Sequence, residues 1–216
     1  MFELPLFPLN TVLFPGMPMA LHIFEERYKL MIGKCVEEKR PFGVVLIKKG
    51  TEALGPIAEP YLVGCTAEII EVEELKQGRM NIGAIGRERF QIVSLDRDSA
   101  YLIGQVERFP LAGDDSEIMD TAARRLRPWV INYMDELSRI EGLELDSLEV
   151  PEEPKPMAYL AATLLQIPPG QKQKLLATEQ ATKMLVEMHA LYRREVAFLK
   201  VMVEHDEADQ GSFSLN

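Results

Sequence analysis

Four prolines inside one apolar run constrain this chain more than any other feature. Residues 4–32 read LPLFPLNTVLFPGMPMALHIFEERYKLMI, with Pro5, Pro8, Pro15 and Pro18 too closely spaced for one helix or one uninterrupted strand. Proline supplies no backbone donor, so FELPLFPL and MPMALHIF read as edge strands and bulges rather than central strands. FEERYKLMIGKCVEEK then takes a helical period. Phe24, Tyr28, Met31 or Ile32, Cys35 and Val36 fall near one face, and the interior Gly33 weakens the helix somewhat.

The pattern next turns to short strands. PFGVVLI is a continuous buried run, and GCTAEIIEVEEL alternates, placing Cys65, Ala67, Ile69 and Glu71 on one face. KQGRMNIGAIGRERFQIVSLD reads as a turn followed by a strand whose glycines permit a bend or a close backbone approach. AYLIGQVERFPL supplies a last strand. Five or six short strands with one inserted helix in about 110 residues predict a closed or partly closed β-barrel with an antiparallel or mixed sheet.

After LAGDD the period becomes helical. Asp114 or Asp115 can cap a helix through SEIMDTAARRLRPWVINYMDELSRIEG, striped by Met119, Ala122, Leu126, Trp129, Tyr133, Leu137 and Ile140. Pro128 within that stripe predicts a kink or two abutting helices. The acidic, proline-bearing LELDSLEVPEEPKP is a loop, MAYLAATLLQI a helix and QKQKLLAT a short one. A long last helix is expected from about Glu179 to His205, striped by Leu185, Met188, Tyr192, Val196, Leu199 and Val203. The organisation is therefore α+β: a β-barrel subdomain over residues 1–112, a helical bundle over 113–208 and a loose tail over 209–216.

Charge narrows the function. The formal net charge of −10 gathers in Glu141, Glu144, Asp146, Glu149, Glu152 and Glu153, and again in Glu204, Asp206, Glu207 and Asp209. Nucleic-acid binding depends on Lys and Arg neutralising phosphates, so RNA and DNA are disfavoured partners. No apolar stretch reaches membrane-span length, and MFELPLF lacks a secretory leader's basic n-region, so a cytoplasmic protein without a membrane partner is expected. Cys35 and Cys65 are expected as buried thiols. His22, His189 and His205 are scattered, so no metal or cofactor is expected.

Taken in order, these motifs resemble the Lon N-terminal domain family, the substrate-recognition region of the ATP-dependent protease Lon. LPLFPLNTVLFPGMPMALHIFEERYKLMI is similar to that family's opening: a Leu-Pro-Leu start, an apolar run ending in Phe-Pro-Gly, and a Phe-Glu-x-Arg-Tyr-like helix start. GCTAEIIEVEEL with NIGAIGRERFQIVSL resembles its next block. AYLAATLLQIPPGQKQKLLATEQATKMLVEMHALYRRE resembles the helical continuation, including the Lys-Gln-x-Leu-Leu signature at Lys174, Leu175 and Leu176. The likeness spans roughly residues 2–205. It implies a PUA-like β-pseudobarrel with one inserted helix, then a C-terminal α-helical bundle, in a protein-quality-control role. With no GxxxxGK[ST] loop and no serine–lysine protease module, it implies a stand-alone member in which proteolysis does not carry over.

No residue pattern here carries catalysis. There is no GxSxG elbow, and GAIGRER precedes a strand rather than opening a helix, which removes the phosphate-loop reading. Arg27 is expected to pair with a barrel carboxylate while Tyr28 packs; the competing role is a recognition cluster with Glu25 and Glu26. His22, among apolar residues, is expected to be partly buried. Met17, Met19, Met31, Met80, Met184, Met188 and Met202 exceed what a rigid core needs, although core filling is the ordinary role of most. The expected function is non-enzymatic binding of unfolded or extended apolar polypeptide in a groove where barrel meets bundle. Phe14, Met17, Phe24, Met80 and Phe90 are the groove candidates, with Arg27, Arg87 and Arg89 as polar guides. A protease or chaperone is the expected partner, and self-association is open. The alternative is a PUA-like small-molecule or RNA binder.

Overall fold

Pro5 and Pro8 lie inside one continuous strand, β1 (Phe2–Leu9), which has neighbours on both sides. This corrects the edge-strand expectation, and the reason is a change of partner midway. Phe2–Pro5 run antiparallel to β7 (Ile103–Arg108), whereas Leu6–Leu9 run parallel to β3 (Phe42–Lys49). Backbone N–H groups alternate between the two sides of a strand, and that of Leu6 donates to the Leu102 carbonyl on the β7 side at 2.8 Å. The missing donor of Pro8 therefore also faces the β7 side, and that of Pro5 the β3 side. Each proline's gap falls where β1 has no partner. The three-residue spacing of the prolines matches the switch.

The structure is a computed structural model describing residues 1–52, 58–113, 117–142 and 148–212, without side chains at 141 and beyond 202. The chain divides into two units, Met1–Leu111 with Gln166–Glu179, and Ala112–Leu165 with the segment from Gln180 onward. The QKQKLL run thus belongs to the barrel unit, whereas the sequence pattern sets it with the helices.

In the first unit, β1, β7, β6 (Met80–Asp96), β5 (Val63–Glu74) and β3 pair in turn and return to β1, closing a mixed ring. β2 (Pro18–Ile23) pairs with the Met80–Ile85 half of β6, and β7 with the Phe90–Asp96 half. The short β4 (Glu59–Pro60) adds to β3. One helix, α1 (Glu26–Glu37), is inserted between β2 and β3 as expected, burying Tyr28, Met31, Ile32 and Cys35. Phe24 and Val36, assigned to that face from the period, are exposed.

Alternation sends the two faces of the ring into separate cores. Phe7, Leu9, Val44, Cys65 and Ala67 pack with α1, and Phe7 stacks on Tyr28 at 4.0 Å between ring centroids. Leu4, Leu6, Val45, Phe90, Ile92 and Val106 form the other core. Glycine makes room there: a Cβ on Gly64 would lie 2.6 Å from the Phe90 ring, and one on Gly104 would lie 2.8 Å from Leu6. β5 carries a bulge at Ile70, and β6 carries one at Arg87–Glu88, opposite Thr66, and another near Val93.

The second unit contains α2 (Glu117–Glu141), α3 (Pro154–Leu164) and α5 (Ala181–Ser212). α2 runs through Pro128 as one element. The carbonyl that loses its partner belongs to Arg124, on the solvent-exposed side where water can replace the bond. The α2 stripe buries Met119, Ala122, Leu126, Tyr133 and Leu137 but leaves Trp129 half-buried and Ile140 exposed. Tyr192 of α5 packs edge-on against Tyr133 and donates its hydroxyl to the Ala161 carbonyl of α3. α5 extends beyond the expected end at His205, through residues assigned to the tail. The candidate caps Asp114 and Asp115 and the end of the tail, 213–216, lie outside the described residues.

Candidate functional site

Five separate stretches of the first unit border one cleft of about 980 Å³. The C-terminal turn of α1 contributes Cys35, Val36, Lys39, Arg40 and Pro41. β5 contributes Thr66 and Glu68–Val72, and the rest comes from Met1 and Phe2 with Arg87, Glu88 and Arg108. The volume is at the upper end of the range typical of ligand pockets.

Each wall follows from local chemistry. α1 stops where Lys39 takes φ +49°, letting the Arg40 N–H return to the Cys35 carbonyl at 3.0 Å. The chain then turns into β3 only at Phe42. On β5, Ile70 follows Ile69 onto the face that carries Glu68 and is the unpaired residue of a bulge, which leaves it 57% exposed. Phe2, Val36 and Val72 are 38%, 39% and 37% exposed, giving the cleft an apolar floor open to water. Carboxylates hold several rim bases: Arg40 pairs with Glu38, Arg87 with Glu68 and Arg108 with Glu88. Thr66 ties the wall together, its hydroxyl accepting from the Glu88 N–H at 3.0 Å.

Nothing in the lining makes an activated nucleophile. Burial pushes the Cys35 thiol above its ordinary value, with Arg40 opposing, so it stays protonated near neutrality. Cys65, behind the wall, is pushed up by burial to about 12. Both are free, buried thiols, as read from the sequence. What the site offers is apolar contact, charge and strand backbone.

Of the eight residues singled out in the sequence, only Arg87 lines this cleft. Phe14 and Phe90 are buried in the first unit and present no surface to a partner, which corrects their assignment. Gly86 lies so close to the Phe14 carbonyl that a Cβ there would clash with it, and Gly43 and Gly64 pack on the Phe90 ring. Arg89 is buried too and holds Gln166–Glu179 in place, donating to the carbonyls of Leu176 and Thr178. Met17 and Met80 are half-buried against the α1-side core. Phe24 is exposed and stacks on His22 at 5.9 Å. Arg27 pairs with Glu25 at 2.9 Å and lies over the Tyr28 ring, so this carboxylate comes from its own segment rather than from the barrel. His22 is exposed, against expectation, and bonds Asn81, which in turn bonds Glu73 across the three strands. Met31, Met184 and Met188 are buried as core, while Met19 is half-buried and Met202 exposed.

Phe2, Val36, Ile69, Ile70 and Val72 were the residues missed. A signal existed in EIIEVEE, where two adjacent isoleucines interrupt an alternating strand and force either a bulge or a face exposed to water.

Among the described residues no helix is long and apolar enough to cross a membrane, and no group of three His, Cys, Asp or Glu could hold a metal ion.

Residues 3–194 match the family model of the ATP-dependent protease La (LON) substrate-binding domain. Curated relatives include a Lon protease of Anaeromyxobacter dehalogenans, 26% identical, and Lon protease 2 of Myxococcus xanthus, 25% identical, each aligned over 98% of this chain. The chain spans about a quarter of their length (25% and 26%). Among solved structures, a Lon N-terminal domain protein from Xanthomonas campestris aligns with 88% of this chain and 98% of its own, at 26% identity and TM-score 0.64. The N-terminal domain of Mycobacterium avium complex Lon protease aligns with 89% and 98%, at 19% identity and TM-score 0.65, a likeness of fold.

Proposed function

This chain belongs to the Lon substrate-binding domain family, and we propose that it binds unfolded or extended apolar polypeptide through the cleft of its first unit, without cutting it. The observation that carries this reading is the water-exposed apolar floor of Phe2, Val36, Ile70 and Val72 inside a charged rim. Monomeric surfaces seldom leave such side chains together unless something covers them. Handing the bound segment to a protease or chaperone would be the role in the cell, supported by the full-length relatives being proteases.

The test is a titration of a permanently unfolded, fluorescently labelled protein against the chain and against its Val36→Glu/Val72→Glu variant. Both positions are exposed, so the fold tolerates the change. Saturable binding by the parent and roughly tenfold weaker binding by the variant are expected, since buried apolar anchors dominate such contacts. Absence of saturable binding, or equal binding by both proteins, overturns the reading. Affinity purification from the native cell would then identify the protease or chaperone, and recovery of neither would remove the handing-on role.

A further inference from the structure

β5 is paired along its whole length with β6, but β3 covers its other edge only at Cys65–Ala67. Among the described residues the outer edge of Glu68–Glu74 has no strand partner. β1 shows the matching feature, since Phe2–Pro5 pair with β7 alone. Continuing the registers backward from Phe42 would lay a longer β3 between these two open edges. The chain instead turns through Lys39–Pro41, and the cleft gathers those residues, Phe2 of β1 and Glu68–Val72 of β5.

We propose that the polypeptide bound by this cleft adds as a strand to the free edge of β5, and that it is a segment in which apolar residues alternate with Lys or Arg. This rests on the polypeptide-binding reading above and specifies its mode. An unpaired strand edge offers alternating N–H and C=O groups that any extended backbone can satisfy, while side-chain pockets set preference. Of the two edges β5 is the stronger template. On β1 the residue facing the gap at position 5 is proline, which has no donor, whereas Glu68–Glu74 contains no proline. Alternate residues of the guest meet Phe2, Val36, Ile69 and Val72.

Charge selects the occupant. Arg40, Arg87 and Arg108 are held by carboxylates of the chain itself. Along the β5 edge, Glu71 and Glu74 make no ion pair among the described residues, and Glu73 accepts only from the Asn81 amide. The uncompensated charge along that edge is therefore negative, in a chain of net charge −10. The one lining base without an ion pair among the described residues, Lys39, comes from the turn after α1 and not from β5. A second copy pairing through EIIEVEE would set glutamates against glutamates, and like charges across a ladder destabilise it. A basic, strand-forming segment meets no such repulsion.

The probe is a short peptide of alternating valine and lysine, with two isomers N-methylated on opposite sets of alternate amides. Strand addition uses one edge of the guest, so one isomer should bind at least roughly tenfold more weakly and the other close to the parent. Isomers that bind alike overturn strand addition. A valine–glutamate peptide should bind more weakly than valine–lysine, and a Glu71→Lys/Glu74→Lys chain should reverse that order; an unreversed order overturns the charge preference. The unfolded-protein titration separates the two levels. If it still saturates while the isomers bind alike, the mode is wrong and polypeptide binding stands; if it does not saturate, the broader reading fails.

Discussion

The Nη1 of Arg89 donates to the carbonyls of both Leu176 and Thr178, at 2.6 and 2.7 Å, across 87 and 89 residues of sequence. One guanidinium on β6 thus caps the C-terminal end of α4 (Pro169–Leu176), where unpaired carbonyls favour a cation. Gln173 adds a second tie, its side-chain amide donating to the Val63 carbonyl at 2.9 Å. The Lys-Gln-x-Leu-Leu run is a docking element: Gln173, Leu175 and Leu176 are buried and Lys174 points outward.

Arg89→Met should remove both bonds and leave buried carbonyls unpaired. The expected loss is about 2–3 kcal/mol, from the cost of hydrogen bonds to charged groups and of stranded buried acceptors. Urea denaturation measures the total. Hydrogen exchange should place the lost protection at residues 173–178; uniform loss across the first unit would contradict the local tie.

Two glycines should respond with opposite signs. A Cβ on Gly64 would lie 2.5 Å from the Val44 carbonyl oxygen and 2.6 Å from the Phe90 ring, so Gly64→Ala should cost about 1–3 kcal/mol by overpacking. A Cβ on Gly33, inside α1, would meet nothing within 4 Å, and Gly33→Ala should gain about 0.5–1 kcal/mol from helix propensity and a less flexible unfolded chain. Thermal unfolding of the pair decides both.

Alkaline pH should destabilise the first unit through its buried thiols and phenol. Burial holds Cys65 at about 12 against an ordinary 9.0, and raises Tyr28 from 10.0 to about 12. Raised folded values mean that the unfolded state loses its protons first. This contribution is fully present below about pH 9 and is lost as pH rises toward 12. Denaturant midpoints followed from pH 8 to pH 11 should fall, and Cys65→Ala should flatten the fall; an unchanged slope in that variant would refute Cys65 as a source.

Tyr192→Phe should test the core of the second unit. The hydroxyl donates to the Ala161 carbonyl at 2.8 Å, and Tyr192 is fully buried. Losing this bond should cost about 1–2 kcal/mol while the edge contact with Tyr133, at 5.1 Å, persists. An unchanged unfolding midpoint would show that the bond contributes nothing.

What could be read without coordinates was what depends on neighbours in sequence. Helical stripes, strand alternation and proline spacing are local, and they specified a barrel with one inserted helix followed by helices. Buried thiols at Cys35 and Cys65 follow from the same patterns. Burial of individual site candidates is not local. Phe90 is enclosed because Gly43 and Gly64, 47 and 26 positions away, leave room for its ring, and Arg89 is enclosed because α4 returns to it.

The cleft depended most on tertiary structure. Its lining comes from residues 1–2, 35–41, 66–72, 87–88 and 108, brought together only by the strand registers. Bulges at Arg87–Glu88 of β6 and at Ile70 of β5 shift those registers, and each one-residue shift exchanges the faces of the bulged strand beyond it. Composition and periodicity therefore determined which elements form. Pairing between distant strands decided which side chains reach water, because a strand's outward face depends on the partner beside it.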